Sequence, residues 1–183
     1  MDTEFTRPTL VVKGRKTTEK KNKHPVPYRK EGAQSQTHSK DEPSFLYYMD
    51  LDSQEVIQVL RSGVRAGVLD ELGHAMDVPR VQLLAWMDVP ETTIKRKIGE
   101  DKFLSKPVGE QAVFIARLIG QVQQMVEESG EPENFDAAKW LAQWLSVPNP
   151  SLGGIEPGKY MDTAQGRMLV SDTLARLQSG AYA

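Results

Sequence analysis

From Asp52 to the end of the chain, apolar positions recur every three or four residues; before Pro43 they follow no period. Spacing of i, i+3 and i+4 places side chains on one face and marks an amphipathic helix. Asp52 or Ser53 can cap a first helix, whose Val56, Ile57, Val59 and Leu60 line one side up to Gly63. Val68, Leu69, Leu72 and Met76 predict a second. Pro79 opens a third with Val81, Leu84 and Met87 inward, and Pro90 a fourth with Ile94 and Ile98 inward. Pro107 starts the longest helix. Its stripe is Val108, Ala112, Ile115, Leu118, Ile119, Val122, Met125 and Val126, and Gly130 and Pro132 end it. Phe135 through Leu145 reads as helix again. Thr163 can cap the last one, with Val170, Leu174 and Leu177 on one face and Gly180 beyond. Only Leu10 to Lys13 has any strand character, so the fold class is all-α.

Residues 1–43 are rich in Lys, Thr, Gln, Ser and Pro and hold one apolar cluster, Leu10-Val11-Val12. So little apolar surface does not offset ordering entropy, and this tail is expected to be extended or disordered. The expected organisation is a tail over 1–43, a helix-turn-helix bundle over 44–106 and a C-terminal helical domain over 107–183.

The tetrapeptide Met-Asp-Val-Pro occurs twice, at 76–79 and 87–90, eleven residues or about three helical turns apart. Each copy breaks one helix and starts another, because proline is tolerated at the first helical position. A short helix, a tight turn and a second helix from Pro90 to about Glu100 make a helix-turn-helix. With Ile94 and Ile98 facing the core, Thr92, Thr93, Arg96 and Lys97 are left outward, with Lys95 beside them. A recognition helix uses such residues on base edges and phosphates; the bland alternative is the solvated face of an ordinary bundle helix. Glu91, Glu100 and Asp101 oppose tight binding, since acids near phosphates repel.

After Trp144 the chain passes through Pro148, Pro150 and Pro157 and the pair Gly153-Gly154. Proline fixes φ and glycine opens positive φ, so this loop is stiff and specifically shaped. The run Gly153 to Lys159 has the spacing of a phosphate-binding loop. Tyr160 stands where a Ser or Thr must bind magnesium, however, and no strand precedes the run, so nucleotide binding there is rejected.

The net charge of −2 conceals an asymmetry: Arg7 to Lys40 carries +8 and the remainder −10. A basic tail on an acidic body suggests two jobs in two places, or a tail that is only a solvated linker. Cysteine is absent, which excludes disulfides and thiolate metal sites and fits a reducing cytoplasm. No apolar run approaches the roughly 20 residues that span a bilayer, and Met1-Asp2-Thr3-Glu4 lacks the order of a secretory signal. His24 and His38 lie in the tail and His74 stands alone, so no metal cluster or nucleophile–base pair emerges. An enzyme is not expected, nor is a cofactor.

The block Trp144-Leu145, Pro148-Asn149-Pro150, Leu152-Gly153-Gly154 and Pro157, followed by Asp162-Thr163 and Gly166, resembles the C-terminal domain of Xre/ParS/MbcA-type antitoxins. Asp88-Val89-Pro90, Thr93-Ile94 and Arg96-Lys97 look like that family's degenerate helix-turn-helix. Phe103-Leu104-Ser105 followed by Glu110 looks like its junction. The resemblance covers about residues 54–183 and is most specific in the C-terminal block. It implies a cytoplasmic antitoxin that dimerises, represses its own operon, and obstructs the active site of a cognate RES-domain toxin that uses NAD⁺; the antitoxin itself needs no cofactor. The basic tail is longer than the family leads one to expect, and could be a DNA arm, a degradation-prone handle or inert. Trp144 and Leu152 are expected in the core, and Gly153 and Gly154 to serve backbone conformation. Toxin contacts are expected from exposed groups near the chain end: Arg167, Arg176, Gln178, Tyr182 and Ala183. The alternative is a stand-alone regulator whose C-terminal bundle only dimerises.

Overall fold

The computed structural model describes residues 44–130 and 134–178. The tail, the Leu10–Lys13 segment, Tyr182, Ala183 and the side chain of Gln178 lie outside the described residues. The element order is α1 Phe45–Met49, α2 Ser53–Ser62, α3 Val68–Met76, α4 Arg80–Trp86, α5 Glu91–Gly99, α6 Lys106–Ser129, α7 Ala137–Leu145, two 3-10 turns at Pro150–Leu152 and Pro157–Tyr160, and α8 Ala164–Gln178. Extended pairing among the described residues is limited to isolated bridges, Arg65 with Phe103 and Asn149 with Ile155. The fold is all-helical.

Local chemistry explains where the helices begin. Asp52 caps α2: its carboxylate accepts from the Gln54 and Glu55 amides at 2.7 and 2.8 Å, and Glu55 reaches back to the Asp52 amide at 2.8 Å. This reciprocal capping box satisfies amides that have no partner inside the helix. Asp136 caps α7 through the Lys139 amide at 3.1 Å. Thr163 Oγ1 accepts from the Gly166 amide at 3.1 Å at the start of α8, as expected. Phe135 falls just before the α7 cap, outside the helix.

The Met-Asp-Val-Pro repeat turns out to be a helix terminator built on aspartate. Asp77 and Asp88 are left-handed, with φ of 55° and 52°. The Asp77 amide donates to His74 O at 3.2 Å and Val78 to Gly73 O at 3.0 Å; Asp88 donates to Ala85 O at 3.3 Å and Val89 to Leu84 O at 3.0 Å. Both are Schellman motifs, with Asp at the position usually held by Gly. Asp101, at φ 48°, repeats the pattern after α5: it donates to Ile98 O at 3.0 Å, and Lys102 donates to Lys97 O at 2.8 Å. Each proline of the repeat sits one place earlier than the first helical position. Pro79 and Pro90 have extended ψ of 142° and 129° and act as N-caps, offering a carbonyl to the first turn.

Packing departs from the one-faced reading in two places. In α4 the buried side chains are Leu83, Leu84 and Trp86, with Met87 just beyond, while Val81 is 61% exposed on the opposite side. In α6 burial extends well beyond one stripe: Gln111, Val113, Ala116, Gly109 and Gly120 are also buried. The reason is that α6 is the central helix, packed by α1, α2, α3, α7 and α8. α1 crosses it so closely that a Cβ at Gly120 would lie 2.6 Å from Met49 O. One hydrophobic core runs continuously from Tyr48 to Leu174.

Candidate functional site

Two surfaces carry the chemistry, and one joint connects them. The first is α5. Ile94 is buried and Ile98 half-buried, which anchors the helix as expected. Thr92, Thr93, Lys95 and Arg96 are exposed. Lys97 is half-buried, and its ammonium donates to Phe103 O at 2.9 Å, tying the end of α5 to the following loop. Arg65 holds that loop from the other side, donating to the Asp101 carboxylate at 2.6 Å and lying 5.1 Å from the Phe103 ring centre. Lys102, hydrogen-bonded to and ion-paired with Glu100, holds the Glu100 carboxyl below the usual carboxylate range, with a smaller contribution from Arg96. The outward cations of α5 are thus few and flanked by acids, Glu91 before them and Glu100 and Asp101 after.

The second surface is the loop after α7 together with α8. Asn149 accepts from the Ser151 amide at 2.9 Å and pairs with Ile155, which curls the proline–glycine block back on itself. Gly153 and Gly154 have φ of 68° and 77°, so they serve backbone conformation. Trp144 and Leu152 are buried, with Trp144 stacked on Trp140 at 6.3 Å. The block therefore shapes this region and presents neither side chain.

Arg167 corrects an expectation. Expected among the exposed partner contacts, it is only 8% exposed. Position 167 falls on the inward stripe of α8 with Val170 and Leu174. Its guanidinium donates to Met161 O and Asp162 O at 3.3 and 3.4 Å and lies 5.8 Å from the Phe114 ring centre. A long cation satisfies the carbonyls of the turn ahead of the helix while its stem packs on apolar surface. Arg176 is exposed in the last turn of α8, and Gln178 is that helix's last residue.

The joint is Gln111 on α6. Its amide nitrogen donates to Met87 O in the turn between α4 and α5 at 3.0 Å and to Asp162 O ahead of α8 at 3.1 Å. Beside it the Trp86 indole packs on Gly158, where a Cβ would lie 2.4 Å from the ring nitrogen. Gln82 donates to Ser146 at 3.3 Å. The helix-turn-helix and the C-terminal loop are fastened side to side.

The family model for the antitoxin Xre-like helix-turn-helix domain matches residues 55–117. The model for the antitoxin Xre/MbcA/ParS C-terminal toxin-binding domain matches residues 133–180. A Prs ADP-ribosylating antitoxin of a Sphingobium species is 39% identical over 127 residues, 69% of this chain and 80% of its own. The chain belongs to the Xre/MbcA/ParS family of antitoxins. Antitoxin Xre of Yersinia enterocolitica is more distant, at 23% identity over 127 residues, again 69% of this chain and 80% of the relative.

Within this antitoxin fold, α5 is the second helix of the helix-turn-helix and α8 closes the toxin-binding domain. Sequence reasoning missed four residues here. Trp86 and Gln111 build the joint, and nothing local reveals a joint between positions 87, 111 and 162. Met168 and Leu169 project from the outer side of α8, 59% and 37% exposed. Their signal was legible: they lie off the Val170–Leu174–Leu177 face, so α8 is apolar on two sides. Among the described residues, no helix is long and apolar enough to cross a membrane.

Proposed function

We propose that this chain binds and neutralises a cognate RES-domain toxin that consumes NAD⁺, obstructing its active site. The observation that carries the reading is the toxin-binding domain match over residues 133–180. The name of the Sphingobium relative links that protein to ADP-ribosylation, a chemistry that consumes NAD⁺ and suits such a toxin. On this reading Arg176, Gln178, Tyr182 and Ala183 supply contacts near the chain end, while Arg167 shapes the domain from inside. The antitoxin works in the cytoplasm by binding alone, with no cofactor and no catalysis.

The same chain, as a homodimer, binds operator DNA and represses its own operon. Thr92 and Thr93 face base edges, Lys95 and Arg96 face phosphates or guanine, and Lys97 positions the helix. With so few outward cations, this DNA contact is salt-sensitive and modest in affinity.

Co-expression with the adjacent reading frame tests the proposal. The neighbour alone should arrest growth and deplete NAD⁺, and this chain should restore both. A harmless neighbour, or one still toxic beside this chain, refutes the antitoxin role and leaves a plain regulator.

A further inference from the structure

The inner face of α8 is fully used. Gly166, Arg167, Val170, Thr173 and Leu174 are buried, and Ser171 exchanges hydrogen bonds with Gln121 on α6: Ser171 Oγ donates to Gln121 Oε1 at 3.0 Å, and Gln121 Nε2 donates to Ser171 O at 3.3 Å. The outer face repeats at helical spacing: Gln165, Met168, Leu169, Asp172 and Ala175 follow one another at i, i+3, i+4, i+7 and i+10, and all are exposed. Two of these are large apolar side chains. A helix that only needs to seat on its own core carries polar residues outward; one apolar on two faces has a second surface to bury.

Location says which partner covers it. The other exposed large apolar groups among the described residues are Leu46, Tyr47, Ile57, Val81, Phe103 and Ile155. All but Ile155 fall outside the stretch matched to the toxin-binding domain. The proline–glycine block inside that stretch turns Trp144 and Leu152 into the core and exposes Ile155 as a single residue. Met168 and Leu169, adjacent on α8, are the larger apolar offering to a partner. Methionine suits such a surface, because an unbranched thioether adapts to an irregular cleft.

We propose that the outer face of α8, centred on Met168 and Leu169 with Asp172 at its edge, is where the toxin docks. This rests on the antitoxin reading above. The toxin surface it fits is an apolar depression large enough for two side chains, with a cationic group at the rim to meet Asp172.

The test uses the full-length chain and the purified product of the adjacent reading frame. Met168→Ser and Leu169→Ser are compared with Ile57→Ser, an exposed apolar residue outside the matched domain. Affinity is read by calorimetry, fold by circular dichroism and self-association by sedimentation. Each α8 change should weaken toxin binding about tenfold or more, as interface anchors do. Both should leave the melting curve unchanged, and Ile57→Ser should change neither. If the unaltered chain forms no complex, the antitoxin reading falls and the docking face with it. If it forms the complex and both α8 variants keep its affinity, only the docking face is refuted. If they lose self-association instead of toxin affinity, the face belongs to a second copy of the chain and the proposal is overturned.

Discussion

Replacing Gln111 with leucine removes the joint between the helix-turn-helix and the loop ahead of α8 while keeping roughly the same volume. Two carbonyls lose a donor, but not equally. Met87 O ends α4 and has no partner inside its helix, so it is left buried and bare. Asp162 O keeps the longer bond from Arg167 at 3.4 Å. An unsatisfied buried carbonyl costs about 1–3 kcal/mol and a lost ordinary hydrogen bond about 0.5–1.5. Leucine recovers part of this through apolar contact, so the net loss should be about 2–3 kcal/mol. About 130 residues are described. At about 2 cal/mol/K of unfolding entropy per residue, that loss lowers the melting temperature by roughly 7–11 °C. The assay is urea unfolding followed by tryptophan fluorescence, with Gln123→Leu as control. Gln123 makes an exposed bond to Glu127 at 2.8 Å within one helix, and its loss should cost about 0.5 kcal/mol or less. A Gln111→Leu midpoint equal to the control, at unchanged slope, would refute the joint.

Asp88→Gly should stabilise the protein by about 0.5–1 kcal/mol, because glycine adopts the left-handed cap without strain and an acid no longer faces the negative end of α4. The same unfolding assay checks it, and a destabilised variant would mean that the carboxylate has a favourable role at the start of α5. Arg96→Ala should weaken operator binding and lower the salt slope by about one unit, the share of a single phosphate contact. An identical slope in fluorescence anisotropy titrations would show that α5 does not face DNA.

The sequence by itself determined where most of the helices begin and end, because those features depend on near neighbours. Asp52, Pro79, Pro90, Pro107, Thr163 and Gly130 announce helix ends because caps and breakers act through hydrogen bonds and dihedral limits spanning a few residues. The doubled Met-Asp-Val-Pro announces the helix-turn-helix for the same reason, and the proline–glycine block announces a shaped loop. Tertiary structure decided how each helix is rotated about its axis, and what touches across long separations. Val81 and Leu83 are both apolar, and only the packing of α4 against α3 and the Pro157–Tyr160 turn selects Leu83 for the core. Arg167 reads as a surface cation until the carbonyls of Met161 and Asp162 and the Phe114 ring are placed around it. Gln111 is one of four glutamines on an amphipathic helix until Met87 O and Asp162 O are placed against its amide. Burial and distant hydrogen bonding are properties of an assembled neighbourhood, and that neighbourhood exists only once the chain has packed.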